Sequence, residues 1–383
     1  MYSEWKNDGF WGVIMRIVLT GGGTGGHIYP ALTLFQYLNK SHQDAQALYI
    51  GTEKGLEKNI VTKTDIPFVT IPAAGLKRQV SMSAIKTALI TYQGYRLAKK
   101  TLRKWNPDIV LGTGGYVTLP VIFAAKRLGI PSVVWEGNAR PGLTNQLCAK
   151  RAEAVAVSFD NTEAWLRGAK KVVLTGNPRA SEVLHVSEAD KKSARDKYQL
   201  SKDRPTILIF SGSRGAETVN RVVVELMGRF AARPDWRVIF VTGEQHYQSI
   251  SSSLEKLPNH ISVLPFIYDM PSLLPNVDVV VTRAGSATLA EICSLGVASI
   301  LIPSPYVTAN HQEENAKRLK EQNAAILLKE GELTADTLWE SLIRVIDSKE
   351  GRVMRDNARR LATPHAVEDL YQLIMEVYRS KSK

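Results

Sequence analysis

The strongest constraint on the fold is a local plan that occurs twice. RIVLTGGGTGGH, starting at Arg16, and TILIFSGSRGAE, starting at Thr206, each read as a buried strand, a glycine-rich loop and the opening of a helix. β-Branched runs without alternation suit parallel strands covered on both faces. A strand that feeds a helix through glycines is the first unit of a doubly wound nucleotide-binding sheet. Around the first copy, strands are expected at 16–20, 47–50, 109–112, 132–135 and 154–157, with helices at 30–39, 83–105 and 119–128. Around the second, strands are expected at 207–210, 237–241, 261–264, 277–282 and 299–302, with helices at 216–229 and 288–295. The final stretch, 353–379, reads as one helix, polar on one face, that closes the second domain or crosses back to the first. The repetition argues for an α/β chain of two Rossmann-like doubly wound domains facing a cleft. The chain's 383 residues let each bury its own core. The turn-rich cluster Thr175-Gly176-Asn177-Pro178 sets the expected division, 15–176 and 177–383.

Composition narrows the partners. The formal charge is +12, so an anionic partner is expected: acidic lipid or a phosphorylated substrate. Nucleic acid is disfavoured, because neither zinc-finger spacing nor an aromatic RNA-binding signature is present. No apolar run approaches the roughly 18 residues of a membrane span. The two cysteines, Cys148 and Cys293, lie far apart with no His or Cys neighbour. They read as small buried hydrophobes in a reducing cytoplasm, and no metal site is expected from them. Residues 1–14 carry Trp5, Phe10 and Trp11 without a period. Either the natural start is Met15, which is the favoured reading, or these residues form a small aromatic membrane foot.

Five loops at strand ends carry the candidate chemistry. Gly21-Gly22-Gly23-Thr24-Gly25-Gly26-His27 leaves a strand and opens a helix, where glycines admit an anion to backbone N–H groups. His27 at that helix N-terminus is disfavoured as a cation and suits a general base; the plainer alternative is a surface residue capping the turn. Gly112-Thr113-Gly114-Gly115-Tyr116 and Trp135-Glu136-Gly137-Asn138 follow two further strands, so three polar loops converge beyond the carboxyl ends of one sheet. In the second half, Ser213 of Ser211-Gly212-Ser213-Arg214-Gly215-Ala216 offers a hydroxyl to a phosphate or ribose. In Arg283-Ala284-Gly285-Ser286-Ala287-Thr288-Leu289-Ala290-Glu291, the N–H groups of Ser286, Ala287 and Thr288 suit a diphosphate. Glu291 suits ribose hydroxyls, or serves only as a partner of the helix dipole. Gln312 and Asn315, in a polar segment entering another helix, suit sugar hydroxyls or simple capping. No Asp-x-Asp pair occurs, so leaving-group charge falls to helix N-termini and side chains, with no metal and no cofactor. Residues 75–104 interleave Lys77, Arg78, Lys86, Arg96, Lys99, Lys100, Arg103 and Lys104 with apolar residues, which reads as a lipid-docking surface or a solvated helix face.

GGGTGGHIYPAL, GTGGYV, PGLTN, TGNPRAS, SGSRGA, RAGSATLAE and PYVTANHQEENA occur in that order. From Met15 almost to the C-terminus the chain resembles the MurG family of UDP-N-acetylglucosamine:lipid I transferases. The resemblance implies a GT-B fold with the last helix packed back on the N-terminal domain. It implies that lipid I binds the N-terminal domain and UDP-N-acetylglucosamine the C-terminal one. By that resemblance Thr24, Gly25 and Gly26 flank the reaction centre, His27 is the base, and Asn138 touches the donor sugar. Arg179 is a phosphate contact, Ser213 a nucleotide contact, and Ile267 binds uracil through its backbone. Glu291 holds the ribose and Gln312 the sugar hydroxyls, while Tyr116 and Glu136 are acceptor-side candidates. Further implied are a peripheral place on the anionic inner leaflet, at the cytoplasmic face of the cell membrane, and cell-wall synthesis and division proteins as partners. The chain departs from the family at Trp135 and Gly137, where His and Gln are usual, and at Thr118-Leu119-Pro120.

The mechanism expected is a single inverting displacement, with His27 taking the proton of the muramyl 4-hydroxyl. Three rivals stand beside it. A UDP-N-acetylglucosamine 2-epimerase needs no lipid. A dinucleotide-dependent oxidoreductase rests on the G-x-G-x-x-G match at Gly21, Gly23 and Gly26, with Glu53 late for its acidic residue. The third is a scaffold without activity.

Overall fold

The computed structural model describes residues 15–41, 44–75, 82–212, 215–254 and 256–381. Ser213, the aromatic segment 1–14 and the basic residues Lys77 and Arg78 therefore lie outside the described residues. Among the described residues, thirteen strands form two all-parallel sheets: β1 Arg16–Thr20, β2 Gln46–Gly51, β3 Phe68–Thr70, β4 Ile109–Gly112, β5 Ser132–Glu136, β6 Ala154–Val157 and β7 Val172–Leu174, then β8 Thr206–Phe210, β9 Arg237–Val241, β10 Ile261–Leu264, β11 Val279–Thr282, β12 Ala298–Leu301 and β13 Ile326–Leu327. The orders are β3-β2-β1-β4-β5-β6-β7 and β10-β9-β8-β11-β12-β13. Both sheets reverse direction of winding beside their first strand, between β1 and β4 and between β8 and β11, which places a crevice at each switch point.

Strand alternation sends Ile17, Leu19, Leu111 and Val133 to one face of the first sheet and Val18, Val110 and Val134 to the other. The helix Gly25–Ser41 covers the former face together with Leu370, Leu373, Ile374 and Val377 of the last helix, Ala366–Lys381. The last helix thus packs on the first sheet although the second sheet precedes it in the chain. The second sheet buries Ile207, Ile209 and Val281 on one face and Leu208, Ile239 and Val280 on the other.

Several expectations are corrected. The 30–39 helix begins at Gly25 and carries Pro30 inside its second turn. Proline within a helix is favoured in the first turn; here the residues before it supply that turn, and the His27 N–H closes on Thr24 O at 3.1 Å. The single closing helix is two, Glu350–Arg360 and Ala366–Lys381, broken before Pro364 because the residue preceding a proline disfavours helical backbone. β3, β7 and β13 are additional. Among the described residues, no helix is long and apolar enough to cross a membrane, and no group of three His, Cys, Asp or Glu could hold a metal ion.

Candidate active site

The loop after β1 is held from below. The hydroxyl of buried Tyr49 donates to Gly21 O at 2.8 Å. Glu57, fully buried, accepts the Gly23 N–H at 3.0 Å, the Thr52 N–H at 3.0 Å and the Thr52 hydroxyl at 2.6 Å. From the side, the loop after β4 docks: the Gly22 N–H donates to Gly114 O at 3.1 Å, and the Thr118 hydroxyl donates to the same oxygen at 2.8 Å. Gly114 has φ 108°, and a Cβ there would lie 2.8 Å from His27 Cδ2, so only glycine lets this loop lie against the imidazole. Tyr116 sets its ring over Gly23, 3.7 Å from where a Cβ would stand.

His27 is fixed in one tautomer. Its Nδ1 lies 2.9 Å from Gly22 O. A carbonyl only accepts, so Nδ1 carries the proton and Nε2 keeps its lone pair. Burial lowers the His27 pKa from its ordinary value, against the Gly22 bond and the Glu57 charge, which raise it. Desolvation therefore leads in keeping the ring neutral. Thr24 and Gly26 are exposed and Gly25 half-buried around it.

On the opposite side, the helix Ser286–Leu295 opens at Gly285, which has no side chain to cap it. Its first intrahelical bond runs from the Leu289 N–H to Gly285 O. The N–H groups of Ser286, Ala287 and Thr288 thus precede the ladder and form an anion-binding end. One turn on, Glu291 is 7% exposed. Burial pushes its carboxyl up to about 7, with Glu182 adding and Arg179 opposing. The Arg179 guanidinium lies 3.2 Å from Glu291 and 2.5 Å from Glu182. Ile267 buries its side chain in the second core, and no backbone hydrogen bond among the described residues engages its N–H or C=O. Gln312 Oε1 accepts the Ser304 N–H at 2.9 Å.

The two sides meet through amides. The Asn315 Nδ2 group donates to Asn138 Oδ1 at 3.2 Å and Ala284 O at 3.1 Å, while its Oδ1 accepts the Ala139 N–H at 2.8 Å. Asn177 Nδ2 donates to the Ser286 hydroxyl at 2.9 Å. A Cβ on Gly137 would stand 3.0 Å from that hydroxyl oxygen, so the departure from the family pattern at this position permits the approach.

Two expectations need correction, and one departure from the family gains a structural role. Glu136 is no acceptor contact: it is 2% exposed and accepts from the Asn138 N–H, Asn138 Nδ2, the Gly142 N–H and Asn145 Nδ2, which saturates both oxygens. Asn315 spends its amide on joining the two sides rather than on a sugar. Trp135 is buried and donates from Nε1 to Gly176 O at 3.0 Å, so it anchors the connection between the sheets.

Sequence reasoning missed Glu57, Asn177 and His311. Glu57 reads as an ordinary first-turn acid, and only its burial reveals its role. His311 donates from Nδ1 to Thr308 O at 2.8 Å, leaving Nε2 free of that bond. It follows Ala309 and Asn310, both at positive φ, 59° and 53°, a strained turn of the kind found at functional sites. Burial lowers its pKa, against the bond to Thr308 O, which raises it.

Residues 17–157 match the model of the glycosyltransferase family 28 N-terminal domain, and residues 206–370 that of the family 28 C-terminal domain. The chain is 47% identical, over 95% of its length and 99% of the relative's, to a Bacillus licheniformis protein. That relative is named UDP-N-acetylglucosamine--N-acetylmuramyl-(pentapeptide) pyrophosphoryl-undecaprenol N-acetylglucosamine transferase. Among solved structures it is similar to MurG of Acinetobacter baumannii, with TM-score 0.75 and 26% identity, covering 94% of this chain and 99% of that one. A UDP-GlcNAc 2-epimerase from Neisseria meningitidis shares the fold at TM-score 0.67 but only 14% identity, covering 95% of this chain and 100% of that one.

Proposed function

Because this chain belongs to glycosyltransferase family 28, we propose a division of labour among its residues in the reaction that the family's close relatives carry in their name. The chain is a hexosyltransferase of GT-B fold that moves N-acetylglucosamine from its UDP carrier to lipid I, forming lipid II for peptidoglycan. The epimerase likeness is one of fold alone.

In the reading proposed here, residues 15–176 take the acceptor and 177–383 the donor. The observation that carries it is the pair of His27, with its proton on Nδ1 and its lone pair on Nε2, and a helix end whose first three N–H groups precede the intrahelical ladder. Nε2 accepts the proton of the muramyl 4-hydroxyl as that oxygen attacks the anomeric carbon. The carbon–oxygen bond to the diphosphate breaks, and configuration inverts. The leaving diphosphate is received by Ser286, Ala287, Thr288 and the Arg179 guanidinium, whose fixed dipoles and charge meet the developing anion. Glu291 accepts from the ribose, Ile267 pairs with uracil through its backbone, and Gln312 and Asn138 line the donor sugar. Ser213 contacts the nucleotide, and Tyr116 stands on the acceptor side.

The membrane contact falls to the helix Met82–Trp105. Lys86, Arg96, Lys100, Arg103 and Lys104 are exposed along it beside exposed Leu89 and Tyr92, and a cleft of ≈ 900 Å³ opens among its cations. Such a surface suits the anionic inner leaflet, and cell-wall synthesis and division proteins would meet the chain there. Sedimentation with vesicles containing anionic lipid should fall steeply with salt; salt-independent binding would contradict the electrostatic part.

The function is tested by incubating labelled UDP-N-acetylglucosamine with a short-chain lipid I analogue. Acceptor-dependent β-1,4-linked product is expected. Donor binding without transfer would leave the fold and overturn the reading.

A further inference from the structure

The cleft is crossed by a clasp of side chains, two of which, Thr33 and Glu182, the proposed chemistry does not use. The Thr33 hydroxyl, on the helix Gly25–Ser41 that carries His27, donates to Glu182 Oε1 at 2.8 Å. Glu182 Oε2 accepts from Arg179 at 2.5 Å, and the other end of that guanidinium reaches Glu291 at 3.2 Å. Arg179 also lies over the Tyr29 ring, 5.2 Å from its centroid, one turn before Thr33. A helical threonine commonly bonds back to its own helix; this one reaches a residue 149 positions away. One continuous path therefore runs from the helix that carries His27 to the helix end expected to hold the diphosphate.

We propose that Glu182 is a positioning residue for the transfer. It holds Arg179 at the donor pocket with one carboxylate oxygen and the His27 helix with the other, so that occupation of the pocket and placement of the base are coupled. The inference rests on the transferase reading above. When a diphosphate enters, Arg179 exchanges Glu291 for the phosphate oxygens while keeping Glu182, which leaves Glu291 to the ribose. Glu182 is half-buried with a side chain 31% exposed, so the clasp is shielded from bulk solvent in part, where charge-assisted bonds count for more than at an open surface.

The test is a double-mutant cycle of Thr33→Val and Arg179→Lys, assayed for KM of UDP-N-acetylglucosamine and for kcat with the lipid I analogue. Thr33→Val removes the hydroxyl but keeps the shape. It should lower kcat about tenfold or more, the worth of one hydrogen bond to a charged group, with KM within about twofold. Thr33→Ser, which keeps the donor, should restore kcat. Arg179→Lys should raise KM about tenfold through loss of its forked geometry and, by releasing Glu182, lower kcat about as much as Thr33→Val does. The double variant should show no further fall in kcat beyond Arg179→Lys alone. An unchanged kcat in Thr33→Val, failure of Thr33→Ser to restore it, or multiplying losses in the double variant would overturn the coupling. Wild-type protein that transfers no sugar would instead sink the transferase reading itself.

Discussion

Two ionisable residues set how the proposed site responds to pH. The His27 pKa lies below its ordinary value of 6.5, so the neutral base persists as pH falls past 6.5 and is lost only lower. The acid limb of kcat, measured against pH in single turnovers at saturating donor so that the Glu291 effect on donor affinity drops out, should therefore lie below 6.5; a limb at or above 7 would contradict the burial. Glu291 behaves oppositely, since burial pushes its carboxyl up to about 7. Its carboxylate fraction rises about tenfold between pH 6 and 8, and donor affinity should rise with it. In Glu291→Gln that slope should vanish in calorimetric titrations with UDP. His27 and the segment Ser286–Thr288 were legible in the sequence because glycines punctuate the strand-to-helix turns beside them. Glu57 and Asn177 were not, because their partners, Gly23 and Ser286, are far along the chain. A residue type alone does not say which way it faces.

At the scale of elements, the proposed donor pocket is the bare end of a helix. Ala287→Asp would place a carboxylate there. It should leave stability unchanged or raise it by about 0.3–1 kcal/mol through the helix dipole, yet weaken UDP binding about tenfold or more by repelling the diphosphate. Thermal melts and titration separate the two effects, and unchanged binding would remove the diphosphate from this helix. The long central strands were readable as continuous apolar runs. β3, β7 and β13 were not, because none of their residues is fully buried, and a short half-buried edge leaves no run to see. The Gly25 start was hidden by Pro30, whose preference for the first turn points five residues too late.

For the molecule as a whole, the division into two sheets followed from the repeated strand, loop and helix. How the halves meet did not, since it depends on single amides crossing between them. Asn315 joins the β5 loop to Ala284 while being fully buried. Asn315→Asp keeps the shape but removes both amide donations, leaving Asn138 Oδ1 and Ala284 O without them. It should destabilise by about 1–3 kcal/mol, read by denaturant unfolding.

All of this converges on the imidazole of His27. The most direct measurement is single-turnover transfer to the lipid I analogue by His27→Ala, with UDP affinity measured on the same preparation. The account predicts a fall in rate of about 10²–10⁴ with UDP binding within about twofold of wild type. Full activity in a variant that still binds UDP would show that the proton of the acceptor hydroxyl goes elsewhere.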